Sequence, residues 1–261
     1  MTLATGMKPA TRIELIGVPG LPLVEPGDDL AAVISSGLEQ NRLRLVAGDV
    51  VIVAHKIVSK AENRVVDLAS VQPSHRARAL AAETAKDPRL VELILSESSR
   101  VVRQREGLLI TEHRLGYVMA NAGIDQSNVG PDGGRVLLPP LDPDRSAEAL
   151  RSRLSAQYGC DLAVIINDSF GRPWRRGIVG VALGAAGLPS VRDLRGEPDL
   201  FGRKLQVTIV GFADEIAAAA SLVMGQAAEK LPVVLVRGLA WTEASSPAQS
   251  IVRPSAEDLF R

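Results

Sequence analysis

Three short apolar runs constrain this chain more than any other feature: DVVIVAH (49–55), DLAVII (161–166) and PVVLVR (232–237). Branched and aliphatic residues dominate each run, and turn residues such as Gly48-Asp49 precede the first, so each reads as a strand. Aromatic residues make up only 3% of the chain, so the core around these strands must be built from Val, Leu, Ile and Ala. An apolar share of 46% is enough for a well-buried core.

Longer helical patterns separate the strands. RIELIGV (12–18) reads as a first strand, followed by the Pro/Gly-rich turn GLPLVEPGDD, where Asp28 or Asp29 is placed to cap a helix over 30–43. Residues 73–105 carry mostly helical signals, interrupted by Pro88. GLLITE (107–112) reads as a strand, and the polar, glycine-rich stretch 123–135 as a loop. A helix is expected from Asp144 to about Tyr158-Gly159, and another over 213–224 with its stop at Gly225. The tail from Thr242 reads as looser. The order is a mixed α/β (α+β) one, too irregular for a (β/α)8 barrel. With 261 residues and no internal repeat, one large domain or two small ones are expected.

Charge and cysteine content exclude several functions. Thirty basic and 30 acidic residues cancel, so no basic excess points to a nucleic acid. Cys160 is the sole cysteine, which rules out a disulfide within the chain and argues against a structural zinc site built on thiolates. The start MTLATGMKPATRIEL lacks a signal-peptide pattern, and no run approaches the roughly 18 apolar residues of a membrane span. The expectation is a soluble cytoplasmic protein.

Chemistry concentrates in four stretches. In NDSFGRPWRRG (167–177), a run of aliphatics ends in Asp168 and Ser169, and ligands of α/β folds gather at strand ends of this kind. A carboxylate and a hydroxyl are hard oxygen ligands suited to Mg²⁺ or Mn²⁺. Arg172, Arg175 and Arg176 follow, with forks that match phosphate or carboxylate oxygens. Read locally, the same residues also make an ordinary surface loop with an Asp cap. In NAGIDQSNVGPDGG (121–134), Asp125 stands among small turn-forming residues and could share a metal with Asp168; an Asx-type turn is the plain alternative. In HKIVSKAENRVVDL (55–68), Lys60 offers a point charge for phosphate, or is a solvated lysine in a hairpin, and His55 could face the same site. In LVMGQAAEKLP (222–232), the amide oxygen of Gln226 is a metal donor, or the segment is only a helix–loop–strand connection. No P-loop and no G-x-G-x-x-G fingerprint occurs, and the glycines of GIVGVALGAAG have the spacing of close packing instead.

Taken in order, GLPLVEPGDDL, DVVIVAHKIVSKAE, ITEHRLG, NAGIDQSNVG, LLPPLDPD, INDSFGRPWRRGIVGVALGAAG, RGEPDLFGRKLQVT, ADEIAAAASLVMGQ and PVVLVRG resemble the coenzyme F420:L-glutamate ligases, also called F420-0:gamma-glutamyl ligases. The resemblance runs from about residue 12 to 240. It implies an unusual α/β fold with mixed sheets, neither P-loop nor Rossmann, with one ligase domain over 1–245 and a tail over 246–261. It implies GTP-dependent addition of L-glutamate to the lactyl carboxylate of F420-0, gamma-linked addition thereafter, a homodimer, and two divalent ions, Mg²⁺ or Mn²⁺, with K⁺ as a further candidate. No nucleic acid or membrane partner is implied.

Under the resemblance, Asp125, Asp168, Ser169 and Gln226 match metal-ligand positions. Leu21, Pro22, Leu23, Val24, Lys60, Asn128 and the loop Met224, Gly225, Gln226, Ala227, Ala228, Glu229, Lys230 and Leu231 match nucleotide contacts. His55 and Lys56 stand at nucleotide positions where some relatives carry small hydroxyl residues, a departure that bears on base preference. Gln226 stands where a Glu can occur, and a neutral amide holds a cation more weakly. Arg172, Arg175 and Arg176 are candidates for phosphate or carboxylate binding, and no general base is assigned. Some members are fused to a nitroreductase-like domain, so the chain reads as a stand-alone ligase or as half of such a fusion.

Overall fold

The computed structural model describes residues 12–129 and 133–259. Residues 1–11, the middle of the glycine-rich loop (130–132) and residues 260–261 lie outside them. In chain order the elements are β1 (Glu14–Gly17), α1 (Leu30–Gln40), β2 (Val50–Ala54), α2 (His55–Ala61), β3 (Val65–Asp67), α3 (His75–Thr84), α4 (Pro88–Ser96), β4 (Ser98–Arg105) and β5 (Leu108–His113). There follow β6 (Val118–Ala120), β7 (Arg135–Leu137), α5 (Pro143–Tyr158), β8 (Ala163–Gly171), β9 (Ile178–Ala186), β10 (Arg192–Asp193), β11 (Ile209–Val210), α6 (Phe212–Met224) and β12 (Val233–Arg237).

The three apolar runs lie side by side. The main sheet has the order β1-β12-β2-β8-β9, and only β2 and β8 are parallel. Its alternate residues feed two cores. Val51, Val53, Val164, Ile166, Val233 and Leu235 pack against α1 and α5. Val50, Ile52, Ala163, Ile165 and Val234 pack against α6. Burial on both faces explains why these strands are continuous apolar runs instead of alternating ones. A third core joins α3 and α4 to the small sheet β4-β5-β6 and to β7. Among the described residues no helix is long and apolar enough to cross a membrane.

Local signals set most boundaries. Asp29 caps α1 by accepting the Ala32 N–H at 3.1 Å, and α1 ends at Gln40, short of the expected 43, because Asn41 turns back onto Gly37. Gly159 ends α5 in the left-handed conformation, and Gly225 ends α6. Pro88 opens α4 at its first turn, a position where its missing N–H costs no bond.

Two expectations are corrected. Residues 98–105 are not helical: pairing with β5 makes them a strand, and Val101-Val102 suits that conformation. Lys60 lies not in a hairpin but in α2, which starts directly where β2 stops. The tail is also better anchored than a loose end. Ala248 is fully buried, and the Asp144 carboxylate accepts the N–H groups of Ala185 (2.8 Å) and Ala248 (2.7 Å).

Glu97, 8% exposed and directly after α4, pairs with Arg64 at 2.8 Å and with Arg114 at 3.4 Å; His113 lies 3.5 Å away. Burial pushes the Glu97 carboxyl up, but His113, Arg64 and Arg114 outweigh it and hold it at about 2. A carboxyl lowered on folding stabilises above its ordinary value near 4.5 and loses that contribution as the pH falls toward 2. The urea midpoint should therefore drop between these values, by an energy on the order of 3 kcal/mol from this group. In Glu97→Gln the same stretch of the pH curve should be flatter, with lower stability at pH 7; an unchanged slope contradicts the assignment.

Candidate active site

The chemistry sits where the parallel pair β2–β8 comes apart. Ala54, the last residue of β2, pairs with Asn167 of β8. Beyond that point β2 turns into α2, while β8 runs on as a two-stranded ribbon with β9, through Gly171 opposite Ile178. Asp168 is thus inside a longer strand than 161–166, and it is the main sheet, not the strand, that ends beside it. The β8–β9 register shifts between Ile166 and Asn167. Bulges of this kind re-aim side chains and recur beside active sites.

His55, the first residue of α2 and only 2% exposed, occupies the gap. Its Nδ1 lies 3.2 Å from Asp168 Oδ1 and its Nε2 lies 3.0 Å from Asp125 Oδ2. Asp125 is held at the edge of β7 by two backbone bonds with Leu137, at 2.9 and 2.8 Å. Lys56 completes the group, with Nζ 3.3 Å from Asp125 Oδ1 and donating to Ser127 Oγ at 3.0 Å. Burial opposes a charge on His55, but Asp168 and Asp125 outweigh it and push its pKa up to about 10. Burial also raises the Asp125 carboxyl, yet His55 and Lys56 leave it below the usual carboxylate range. Two anions are thus balanced by two cations in a largely enclosed place.

A second cluster adjoins the first across β8. Ser169 Oγ donates to Gln226 Oε1 at 2.7 Å, just past the end of α6. Asn167 donates to Ser221 Oγ at 3.1 Å, and its own Oδ1 is buried without a hydrogen-bond partner among the described residues. The backbone N–H of Ser169 donates to Asp168 Oδ1 at 2.6 Å, tying the two clusters together.

The donors offered by these clusters are carboxylate, hydroxyl and amide oxygens, which by their chemistry fit Mg²⁺ or Mn²⁺. Asp125 and Asp168 do not face each other directly, because the imidazole ring stands between them. Among the described residues no three His, Cys, Asp or Glu side chains form a metal-binding group. A cation here would therefore need the neutral oxygens of Ser169 and Gln226 besides the carboxylates.

The model of the F420-0:Gamma-glutamyl ligase family matches residues 20–238, which include every residue of both clusters. The chain belongs to this family. It is 49% identical over 251 residues to the coenzyme F420:L-glutamate ligase of Methanothermobacter thermautotrophicus, covering 95% of this chain and 99% of the relative. Identity is 48% to that of Methanopyrus kandleri (98% and 100% covered) and 45% to that of Archaeoglobus fulgidus (96% and 97%). The mixed sheet of this ligase, neither P-loop nor Rossmann in type, agrees with the fold that the resemblance implied.

In the ligase, the expected nucleotide segments surround α2 and the end of α6. Val24 is buried in the first core, while Pro22 and Leu23 are exposed and Leu21 packs near Gly37. The following turn is fixed to α2 by the Gly27 N–H donating to the Ala61 carbonyl at 2.9 Å. Lys60 is half-buried, and its ammonium has no polar partner among the described residues. The loop after α6 is held by Glu229, which accepts the Ala227 N–H at 2.7 Å, and Lys230 takes a left-handed conformation. Asn128 is exposed, with φ 58°. Arg175 and Arg176 are exposed on the ribbon turn, and Arg172 donates to the Gly177 carbonyl at 3.2 Å. None of the three arginines joins the His55 cluster in this structure. Sequence reasoning gave His55 too small a part and passed over Asn167; a polar residue directly after a fully apolar strand was the available signal.

Proposed function

We propose that this ligase joins L-glutamate to the lactyl carboxylate of coenzyme F420-0, using GTP and releasing GDP and phosphate, and that it adds a further glutamate through a gamma-carboxyl link. The single observation that carries the reading is the paired placement of Asp125 and Asp168 on the two edges of His55, within a chain nearly half identical to named F420 ligases over its full length. The reaction begins with attack of the acceptor carboxylate oxygen on the γ-phosphorus of GTP, and GDP leaves. The glutamate amine then attacks the acyl carbon, the C–O bond to phosphate breaks, and the nitrogen loses a proton. Charge builds on phosphoryl oxygens in both steps, so fixed positive charge is the main aid.

Asp125, Asp168, Ser169 and Gln226 would hold two divalent ions, Mg²⁺ or Mn²⁺, with K⁺ as an additional candidate; such ions supply positive charge to phosphoryl oxygens. The chain's own cations, Lys56 and Lys60 on α2, would serve the same task, and Lys60, with no polar partner among the described residues, is the freer of the two to meet a phosphate. Leu21–Val24, Asn128 and the loop 224–231 would enclose the nucleotide. A homodimer working in the cytoplasm belongs to the same reading.

Trapping tests the acyl phosphate. With glutamate left out and hydroxylamine supplied, GTP and F420-0 should yield the hydroxamate of F420-0 together with GDP. Release of GDP without hydroxamate would contradict an acyl-phosphate route. ATP in place of GTP should support little of this reaction.

A further inference from the structure

Lys60 stands in the last turn of α2, and a long side chain on a helix end is aimed only as well as that end is held. The chain after α2 turns back at once. Asn63 is left-handed at φ 57°, and the N–H groups of Asn63 and Arg64 donate to the carbonyls of Lys60 (2.9 Å) and Ser59 (2.8 Å). The turn is then fastened to the stretch 138–141 by three bonds. The Leu138 N–H donates to the Arg64 carbonyl at 3.1 Å. Arg64 Nε donates to the Pro139 carbonyl at 3.0 Å, and the Leu141 N–H donates to Glu62 Oε2 at 3.0 Å.

The same stretch holds Asp125 one residue earlier, through the two backbone bonds with Leu137. Residues 136–140 are buried, and Pro139 and Pro140 fix their own φ angles, so the stretch is a stiff bar. Asp125 is bonded to one end of it and the end of α2 to the rest. At the other end of α2, His55 and Lys56 reach Asp125 at 3.0 and 3.3 Å. The placement of Lys60 against Asp125 is therefore set by the bar, with no direct contact between the two. Arg64 is bonded to the bar through both its backbone and its side chain. Its side chain is 21% exposed, and Glu97 takes the other arm of the fork at 2.8 Å. A guanidinium held by a carboxylate in this way keeps a fixed geometry.

We propose that Arg64 is a positioning residue for phosphate binding: through the bar it fixes the last turn of α2, and with it Lys60, relative to Asp125. This rests on the ligase reading, in which Lys60 meets a phosphate of the nucleotide. Calorimetric titration of the full chain with GDP and Mn²⁺ tests it as a double-mutant cycle. Lys60→Ala should weaken GDP binding about 10-fold or more. Arg64→Ala should weaken it about 5-fold or more in the native chain, yet by less than about 2-fold when Lys60 is already Ala. Glu97→Gln separates positioning from plain instability. It lowers stability but leaves the Arg64 bond to Pro139, so GDP affinity should stay within about 2-fold of native. Should Arg64→Ala fail to fold, Glu62→Ala reports on the same brace from an exposed position, with a smaller loss that also vanishes in the Lys60→Ala background. Equal losses in the two backgrounds, unchanged affinity in Arg64→Ala, or a loss in Glu97→Gln as large as in Arg64→Ala each overturn this inference alone. Native affinity in Lys60→Ala, or no GDP binding by the native chain, overturns the nucleotide part of the ligase reading and this inference with it.

Discussion

Asp168→Asn should lower turnover about 10²–10³-fold. The substitution removes one negative charge but no atom that the fold needs. Its amide oxygen can still accept the Ser169 N–H, which donates to Asp168 Oδ1 in the native chain. Asp168 is 12% exposed, and its neighbour His55 is buried, so the lost charge is not replaced by solvent. The cost therefore falls on charge balance at the site: His55 and Lys56 remain, with Asp125 as the one carboxylate against them. Asp125→Asn should act in the same direction. Combining the two should cost less than the sum of the single effects, because both carboxylates serve one imidazole. Measured manganese affinity, read by the EPR signal of the free ion, should fall in parallel with turnover. Full turnover of Asp168→Asn at saturating Mn²⁺ contradicts the assignment.

Gly184→Ala should produce the largest loss of stability. A Cβ at Gly184 would run into the Pro143 carbonyl and lie 2.8 Å from the Asp144 nitrogen, all of it backbone at the start of α5. No side chain is there to swing away, so the helix and β9 must separate. Overpacking costs typically 1–3 kcal/mol, and a backbone-on-backbone clash belongs at or above the upper end, about 3 kcal/mol. For a domain of this size that lowers Tm by roughly 6–12 °C. Separation would also draw the Asp144 carboxylate from the Ala185 and Ala248 N–H groups, loosening the tail. Gly171→Ala is the control, since nothing lies within 4 Å of its added carbon. A Gly184→Ala chain that melts with the native one contradicts the packing described.

These two residues also mark what the sequence makes legible. The glycines of GIVGVALGAAG carried their reason in their spacing: Gly180 meets α6 at Ala217 and Ser221, and Gly184 meets α5. The strands 49–55, 107–112 and 232–237 were readable because each is a compact run of strand-forming residues. Residues 98–105 were not, because their strand state depends on pairing with β5, a contact that lies outside any local window. Likewise HKIVSKA gives no sign that a helix begins directly after the last residue of a strand.

At the site, Asp125 and Asp168 could be singled out locally only as loop carboxylates. Their meeting across His55 depends on β2 ending one residue before it, opposite Asn167, and no spacing in the sequence encodes that. The three arginines illustrate the opposite limit. Their nearness in sequence to Asp168 suggested a common site; in the structure they stand on the ribbon turn, outside the His55 cluster.

The central claim, that this chain joins glutamate to F420-0, is tested most directly by mass spectrometry of the acceptor. Native protein incubated with F420-0, GTP, Mn²⁺ and L-glutamate should yield a product heavier by one glutamate residue, with GDP released alongside. F420-0 recovered at its original mass, under conditions where the folded protein binds it, would contradict the claim.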